Sequence, residues 1–220
     1  VTSPADPASP RTVPARSVSR GLLLLAGAPT EVADWAARSV VPLFLVPTGE
    51  WTGATVAGDS RVAAPYDDAA TVLAARPVPG RAGPALGFFQ IEGRAVLTVH
   101  AYGRRRGPGW VVWEPDAGLL RPPGLQLAGP AEIVRVAGAA PEVRDELVDL
   151  LHETRARPLV MLQAVLATLG LPLARLLEDP AAAGSLEGVT RHEPRPREVG
   201  WFEDAVADGV RLRRELGVLQ

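Results

Sequence analysis

Between Leu86 and Glu114 apolar and polar positions alternate with a period of two, the pattern of β-strands with distinct faces. Ala95, Leu97, Val99 and Ala101 fall on one side; Arg94, Val96, Thr98, His100 and Tyr102 fall on the other. The alternation predicts an antiparallel meander with strands over 86–92, 95–102 and 110–114. The loop between the last two is Gly103-Arg104-Arg105-Arg106-Gly107-Pro108-Gly109, a turn-forming segment with a basic tip. A loop over 103–109 predicts that Tyr102 faces Trp110, His100 faces Val112 and Val99 faces Trp113. At Glu92-Gly93 two connections stay open. One is a two-residue turn in which Glu takes an unfavourable first position, the other a three-residue loop ending at Arg94.

The same reading organises the rest of the chain. Residues 1–19, rich in Pro, Ser and Ala, are expected to form a disordered arm. Gly21–Ala28 reads as a buried strand. Val32, Trp35, Ala36 and Val40 form a helical stripe with Thr30 as its N-cap. Val41–Val46 is a second apolar run, giving a strand–helix–strand unit, and 50–57 continues as a strand after the Thr48-Gly49 turn. A helix is predicted over 65–76, with Pro65 at its entry and Ala69, Val72, Leu73 and Arg76 at helical spacing. Residues 77–84 and 115–129 read as Pro- and Gly-rich connections, and 131–137 as a short strand or helix.

From Pro141 the period becomes helical. Val143, Leu147, Leu150 and Leu151 form the apolar side of one helix, and Pro158 ends or kinks it. Leu159–Leu169 is apolar almost all round and predicts a covered core helix. Gly170 and Pro172 stop it before a short helical turn at 173–178. Residues 180–200 read as linker. A closing amphipathic helix is expected over 201–216, using Phe202, Ala205, Val206, Val210 and Leu216.

These elements predict an α+β fold, in which a mixed or antiparallel sheet packs with helices and ends in a C-terminal helical extension. The expected division is an arm at 1–19, a sheet domain at 20–138 and a helical region at 139–220 on or beside the sheet.

Composition narrows the chemistry. All 23 basic residues are Arg, and the chain contains neither Lys nor Asn. Their A/T-rich codons point to a high-GC bacterial genome. The absence of Lys excludes Schiff-base catalysis and the phosphate-gripping Lys of a P-loop. With no Cys, disulfides, thiol nucleophiles and zinc–thiolate sites are excluded as well. A formal charge of −2 gives no whole-chain attraction to nucleic acid or anionic membrane. Arg11, Arg16 and Arg20 before Leu22–Leu25, with Ala26-Gly27-Ala28 after it, imitate a secretory leader. The apolar run is only about half the ~7–15 residues such a leader uses. A buried strand and a cytoplasmic chain are therefore expected, with no membrane span.

Two short blocks bear on catalysis. Gly58-Asp59-Ser60 resembles the nucleophile block of GDS-type esterases, and Asp149-Leu150-Leu151-His152 resembles their Asp-x-x-His block. The resemblance implies Ser60 as nucleophile, His152 as base and Asp149 as the group orienting it. The chain departs from that family where Arg61 replaces the Leu after the Ser, and where the family uses an oxyanion-hole Asn. His100, His152 and His192 show no metal-binding spacing, and no glycine-rich phosphate loop follows a strand, so no metal or cofactor is expected. Residues 159–178 imitate a helix–turn–helix, but the second segment offers only Arg175 to a nucleic acid.

The side chains best placed to bind something are Tyr102, Arg104, Arg105, Arg106 and Trp110 on the hairpin, and Trp201 and Phe202 on the last helix. Arg grips carboxylate or phosphate bidentately and stacks on aromatic rings. The expectation is a non-catalytic binding or regulatory protein acting through protein–protein contacts or self-association. The alternatives are a hydrolase using Ser60 with a His base, and nucleic-acid binding through the Arg104–Arg106 tip.

Overall fold

The computed structural model describes residues 19–102 and 107–215, with side chains to residue 211. Residues 1–18 of the expected arm at 1–19, the Arg104–Arg106 tip and Leu216 of the expected closing helix lie outside the described residues. The elements run in the order β1 (Arg20–Leu25), α1 (Pro29–Ala36), β2 (Leu43–Thr48), β3 (Trp51–Val56), α2 (Ala69–Ala75), β4 (Ala85–Ile91), β5 (Arg94–His100), β6 (Gly109–Glu114) and β7 (Gly118–Leu120). They continue with α3 (Pro130–Ala137), α4 (Val143–His152), α5 (Pro158–Thr168), 3₁₀ turns at Ala174–Leu177 and Pro180–Ser185, β8 (Thr190–His192) and α6 (Pro196–Glu215).

All eight strands form one sheet in the order β7-β6-β5-β4-β1-β3-β2-β8, and each pair of neighbouring strands is antiparallel. The fold is α+β. β1 and β2 point the same way but do not touch, because β3 lies between them. Helices cover both faces of the sheet. Leu22, Leu24, Leu86, Phe88, Leu97, Val99 and Trp113 face a core shared with α3, α4, α5 and the 3₁₀ turns. Leu23, Leu25, Leu43, Leu45, Phe89, Val96 and Val112 face a second core under α1 and α2. This double coverage explains the unbroken Leu22–Leu25 run: alternate leucines enter opposite cores, and all four are fully buried.

Several predicted elements are shifted by identifiable local chemistry. The helix expected from Pro65 starts at Ala69, because the Asp68 carboxylate accepts the Thr71 amide at 2.6 Å and caps it there. Thr30 is not the N-cap of α1. Ala28 holds that position and Pro29 takes N1, where a missing N–H costs nothing. The 93 turn is the two-residue one: Ile91 pairs with Arg94, and Glu92 (φ 49°) and Gly93 (φ 78°) are both left-handed. Register is set by buried pairs such as Phe89–Val96, which impose the strain on Glu92.

The hairpin register also differs. Val99 pairs with Gly109, Thr98 with Trp110, Val96 with Val112 and Ala95 with Trp113, a slip of four residues from the expected pairing. β6 is held at its start by the segment beyond β7: the Trp110 amide donates to Gln126 O at 2.8 Å, and the Ala128 amide donates to Trp110 O at 2.9 Å. An even slip leaves every side chain on its expected face, so the two-faced pattern survives.

The 180–200 segment is not a plain linker. It holds the 3₁₀ turn at 180–185 and then β8, which extends the sheet by pairing Leu43 with His192 and Leu45 with Thr190. Glu193 then bridges Arg191 (2.7 Å) and Arg61 (3.2 Å), tying this strand to the loop after β3. Hydrogen bonds from Arg191 and Arg61 hold the Glu193 carboxyl below its ordinary range. α6 begins at Pro196 rather than Trp201.

Candidate functional site

A cavity of about 240 Å³ opens where the C-terminal ends of α1 and α2 meet α6. Its lining is Arg38, Val40, Tyr66, Val72, Ala75, Arg76, Pro77 and Phe202, so the walls are mainly apolar. Arg38 and Val40 come from the turn after α1, and Arg76 is the C-cap of α2. Tyr66 and Phe202 meet edge to face, with ring centroids 5.3 Å apart and planes at 84°, and this contact closes one side.

Arg76 supplies the charge. Its guanidinium lies over the Trp35 indole, 4.0 Å from the ring centroid. Its Nη2 donates to the Trp35 carbonyl, an acceptor that also receives the Arg38 amide at 3.2 Å. Trp35 Nε1 donates in turn to Pro77 O at 3.0 Å, which fixes the ring beneath the cation. Nη1 of Arg76 is buried with no hydrogen-bond partner. Burial, helped by the neighbouring Arg38 cation and opposed by Glu198 on α6, pushes the Arg76 pKa down to about 9. Arg76 therefore stays charged at neutral pH while lacking an ion-paired carboxylate among the described residues. Both arginines sit at helix C-termini, where cations complement the macrodipole. That accounts for their place in the fold and leaves the unused Nη1 donor over.

The residues picked out by sequence fall in three places. Tyr102 is 67% exposed just beyond β5, and Trp110 is half-buried on β6 against Thr98. Tyr102 does not face Trp110 in the sheet. Trp201 and Phe202, adjacent on α6, turn to different sides. Trp201 is 54% exposed under the Arg197 guanidinium at 4.1 Å, whereas Phe202 is half-buried and lines the cavity.

The structure does not bring Ser60 and His152 together. Ser60 Oγ accepts the Val62 amide at 3.3 Å, and Val62 belongs to the core under α1 and α2. His152 ends α4 on the opposite face of the sheet, with Nδ1 2.7 Å from Val148 O. Among the described residues no group of three or more His, Asp or Glu is placed to hold a metal ion, and no helix is long and apolar enough to cross a membrane.

Sequence reasoning missed Arg38, Val40, Tyr66 and Arg76 as site residues. A signal existed for one of them. Arg76 continues the apolar spacing of Ala69, Val72 and Leu73, and a cation on the buried stripe of a helix needs a reason to be there.

No family model, no curated protein and no solved structure matches the chain.

Proposed function

We propose that the chain is a cytoplasmic, non-catalytic binding or regulatory protein that acts through protein contacts made by α6. The observation that carries this reading is the burial along that helix. α6 is 20 residues long, yet none of its described side chains is fully buried. Val199 and Phe202 attach it to the core under α1 and α2. Val206 and Val210, farther along, are only half-buried, and Trp201 is turned outward. Helices in proteins draw most of their stability from packing an apolar face, so a long helix with this little burial is suited to exchange its own contacts for those of a partner. The chemistry of the cavity agrees with a binding role. Guanidiniums bind and orient anions but keep their protons near neutrality, so they do no acid–base work there.

Trp201→Ala tests the reading. Its ring is exposed, so unfolding free energy should change by only about 0.5 kcal/mol. Affinity for a partner captured by the wild-type chain, then purified and titrated, should fall at least about tenfold, as for an interfacial Trp. Sedimentation velocity covers the case in which the partner is a second copy. Unchanged affinity and unchanged self-association in both Trp201→Ala and Val206→Glu would remove α6 as the contact surface.

A further inference from the structure

We infer that the cavity under α6 is a binding site for a small, neutral, apolar molecule, and that its occupancy fastens α6 to the body of the fold. The inference goes beyond the protein-contact reading and does not rest on it.

The lining selects a guest without charge. Val40 and Val72 belong to the core under α1 and α2, and the cavity is an open continuation of that core. Ala75, Pro77, Tyr66 and Phe202 complete an almost wholly apolar wall. A guanidinium ordinarily attracts anions, but the donors of Arg76 are not offered to the cavity. Its Nη2 donates to the Trp35 carbonyl, and its Nη1 is closed off by burial. Arg38 is exposed at the rim, with its Nε donating to the Asp34 carbonyl at 3.3 Å. An anion inside would therefore lose its water without gaining a donor, and a cation would lie beside two like charges. A neutral molecule meets neither penalty.

Water fits the site poorly for the same reason. A buried water needs about two to four polar partners, and a cavity that lacks them favours an apolar guest. The space does not close on itself, because the Tyr66 and Phe202 rings brace one another edge to face. Size then bounds the guest. An apolar cavity of about 150 Å³ admits benzene. The larger volume here, about 240 Å³, accommodates one ring with a short alkyl group, or two fused rings.

The link to α6 follows from how that helix is attached. Val199 and Phe202 are its side chains packed against the core under α1 and α2. A guest touching the Phe202 ring adds apolar contact where the helix has little, so binding and docking of α6 reinforce each other.

Ethylbenzene, phenylacetate and benzylammonium test the charge rule, because they share a ring and differ chiefly at the end of a short arm. Each is titrated into the full chain and followed by the methyl NMR signals of Val40 and Val72. Hydrogen exchange along α6 is measured in parallel. Ethylbenzene is expected to saturate with a Kd of about 0.1–1 mM and to show NOEs to both valines. It should also slow exchange at 199–206 at least about threefold. The two ions should bind at least about tenfold more weakly. Ala75→Trp places a large side chain at the exposed rim, where it fills the mouth and should weaken ethylbenzene at least about tenfold. Phe202→Ala removes the cover and should weaken it about five- to tenfold. No described side chain of α6 is fully buried, so the body of the fold should persist in that variant. Methyl shifts that rise without saturating overturn the inference. So does either ion binding as tightly as ethylbenzene, wild-type affinity in both variants, or saturable binding that leaves α6 exchange unchanged. The experiment contains no partner protein, so its failure leaves the α6 contact reading standing, and the Trp201→Ala result does not bear on it.

Discussion

Replacing Trp113 with alanine should lower folding stability by about 4 kcal/mol, within the range for removing a core aromatic. Domains of this kind are stable by only about 5–15 kcal/mol, so the loss is a large share of the total. Trp113 is fully buried in the core shared with α3, α4 and α5. Its Nε1 donates to Glu153 O at 2.9 Å, and Glu153 is the C-cap of α4. The indole thus fills the space between sheet and helices and also satisfies a carbonyl where α4 ends. Trp113→Phe separates the two contributions: it keeps most of the apolar bulk and removes the donor, so a smaller loss of about 1–3 kcal/mol is expected. Urea unfolding of the two variants checks this. Equal losses would mean that volume is not what the site needs, and a loss below about 1 kcal/mol in Trp113→Ala would mean that the core closes over the gap.

What the sequence made legible follows from what burial does to it. β4, β5 and β6 are readable because their apolar side chains go alternately to two cores, so the two-faced pattern is preserved. The hairpin register is not readable, because the sequence marks where turn residues stop and not where backbone pairing stops. Only tertiary contacts, such as those of Trp110 with Gln126 and Ala128, decide the latter. β7 and β8 were missed for a different reason. Each has three residues, and Thr190-Arg191-His192 carries no apolar signal at all. β8 exists because β2 offers a row of unpaired backbone groups and β8 covers it, a short polar edge of the kind that discourages further strand addition. The first turn of α6 was hidden in the same way. Pro196, Arg197 and Glu198 read as linker because no apolar residue marks a helical period before Val199.

The site was less legible than the fold. Its lining comes from residues 38–40, 66, 72–77 and 202, and no local spacing announces that these meet. Phe202 was picked out for its type, and its inward orientation depends on how α6 docks. The Ser60 and His152 blocks show the converse error. Each matches a short pattern, but one lies with the α1 and α2 core and the other on α4 across the sheet.

Gly87→Ala should destabilise the chain by about 2–3 kcal/mol through overpacking, although β-propensity alone favours almost any residue over Gly inside a strand. The reason is the neighbouring ring of Phe89. It is fully buried and lies across both Gly87 on its own strand and Gly21, its partner on β1. A Cβ at Gly87 would run into the Phe89 ring and Thr98 Oγ1, and a Cβ at Gly21 would run into the same ring. The two glycines thus form a flat seat that lets an aromatic side chain lie along the sheet. Phe89→Ala alone should cost about 3–5 kcal/mol by opening a cavity. With the ring gone, Gly87→Ala loses one of its two close clashes, the one with Thr98 Oγ1 remaining, and the new methyl group occupies part of the void. The double variant should therefore be less destabilised than the sum of the singles by about 1–3 kcal/mol. Guanidinium unfolding of the three variants measures that coupling. Simple additivity would show that Gly87 is kept for some reason other than the ring it seats.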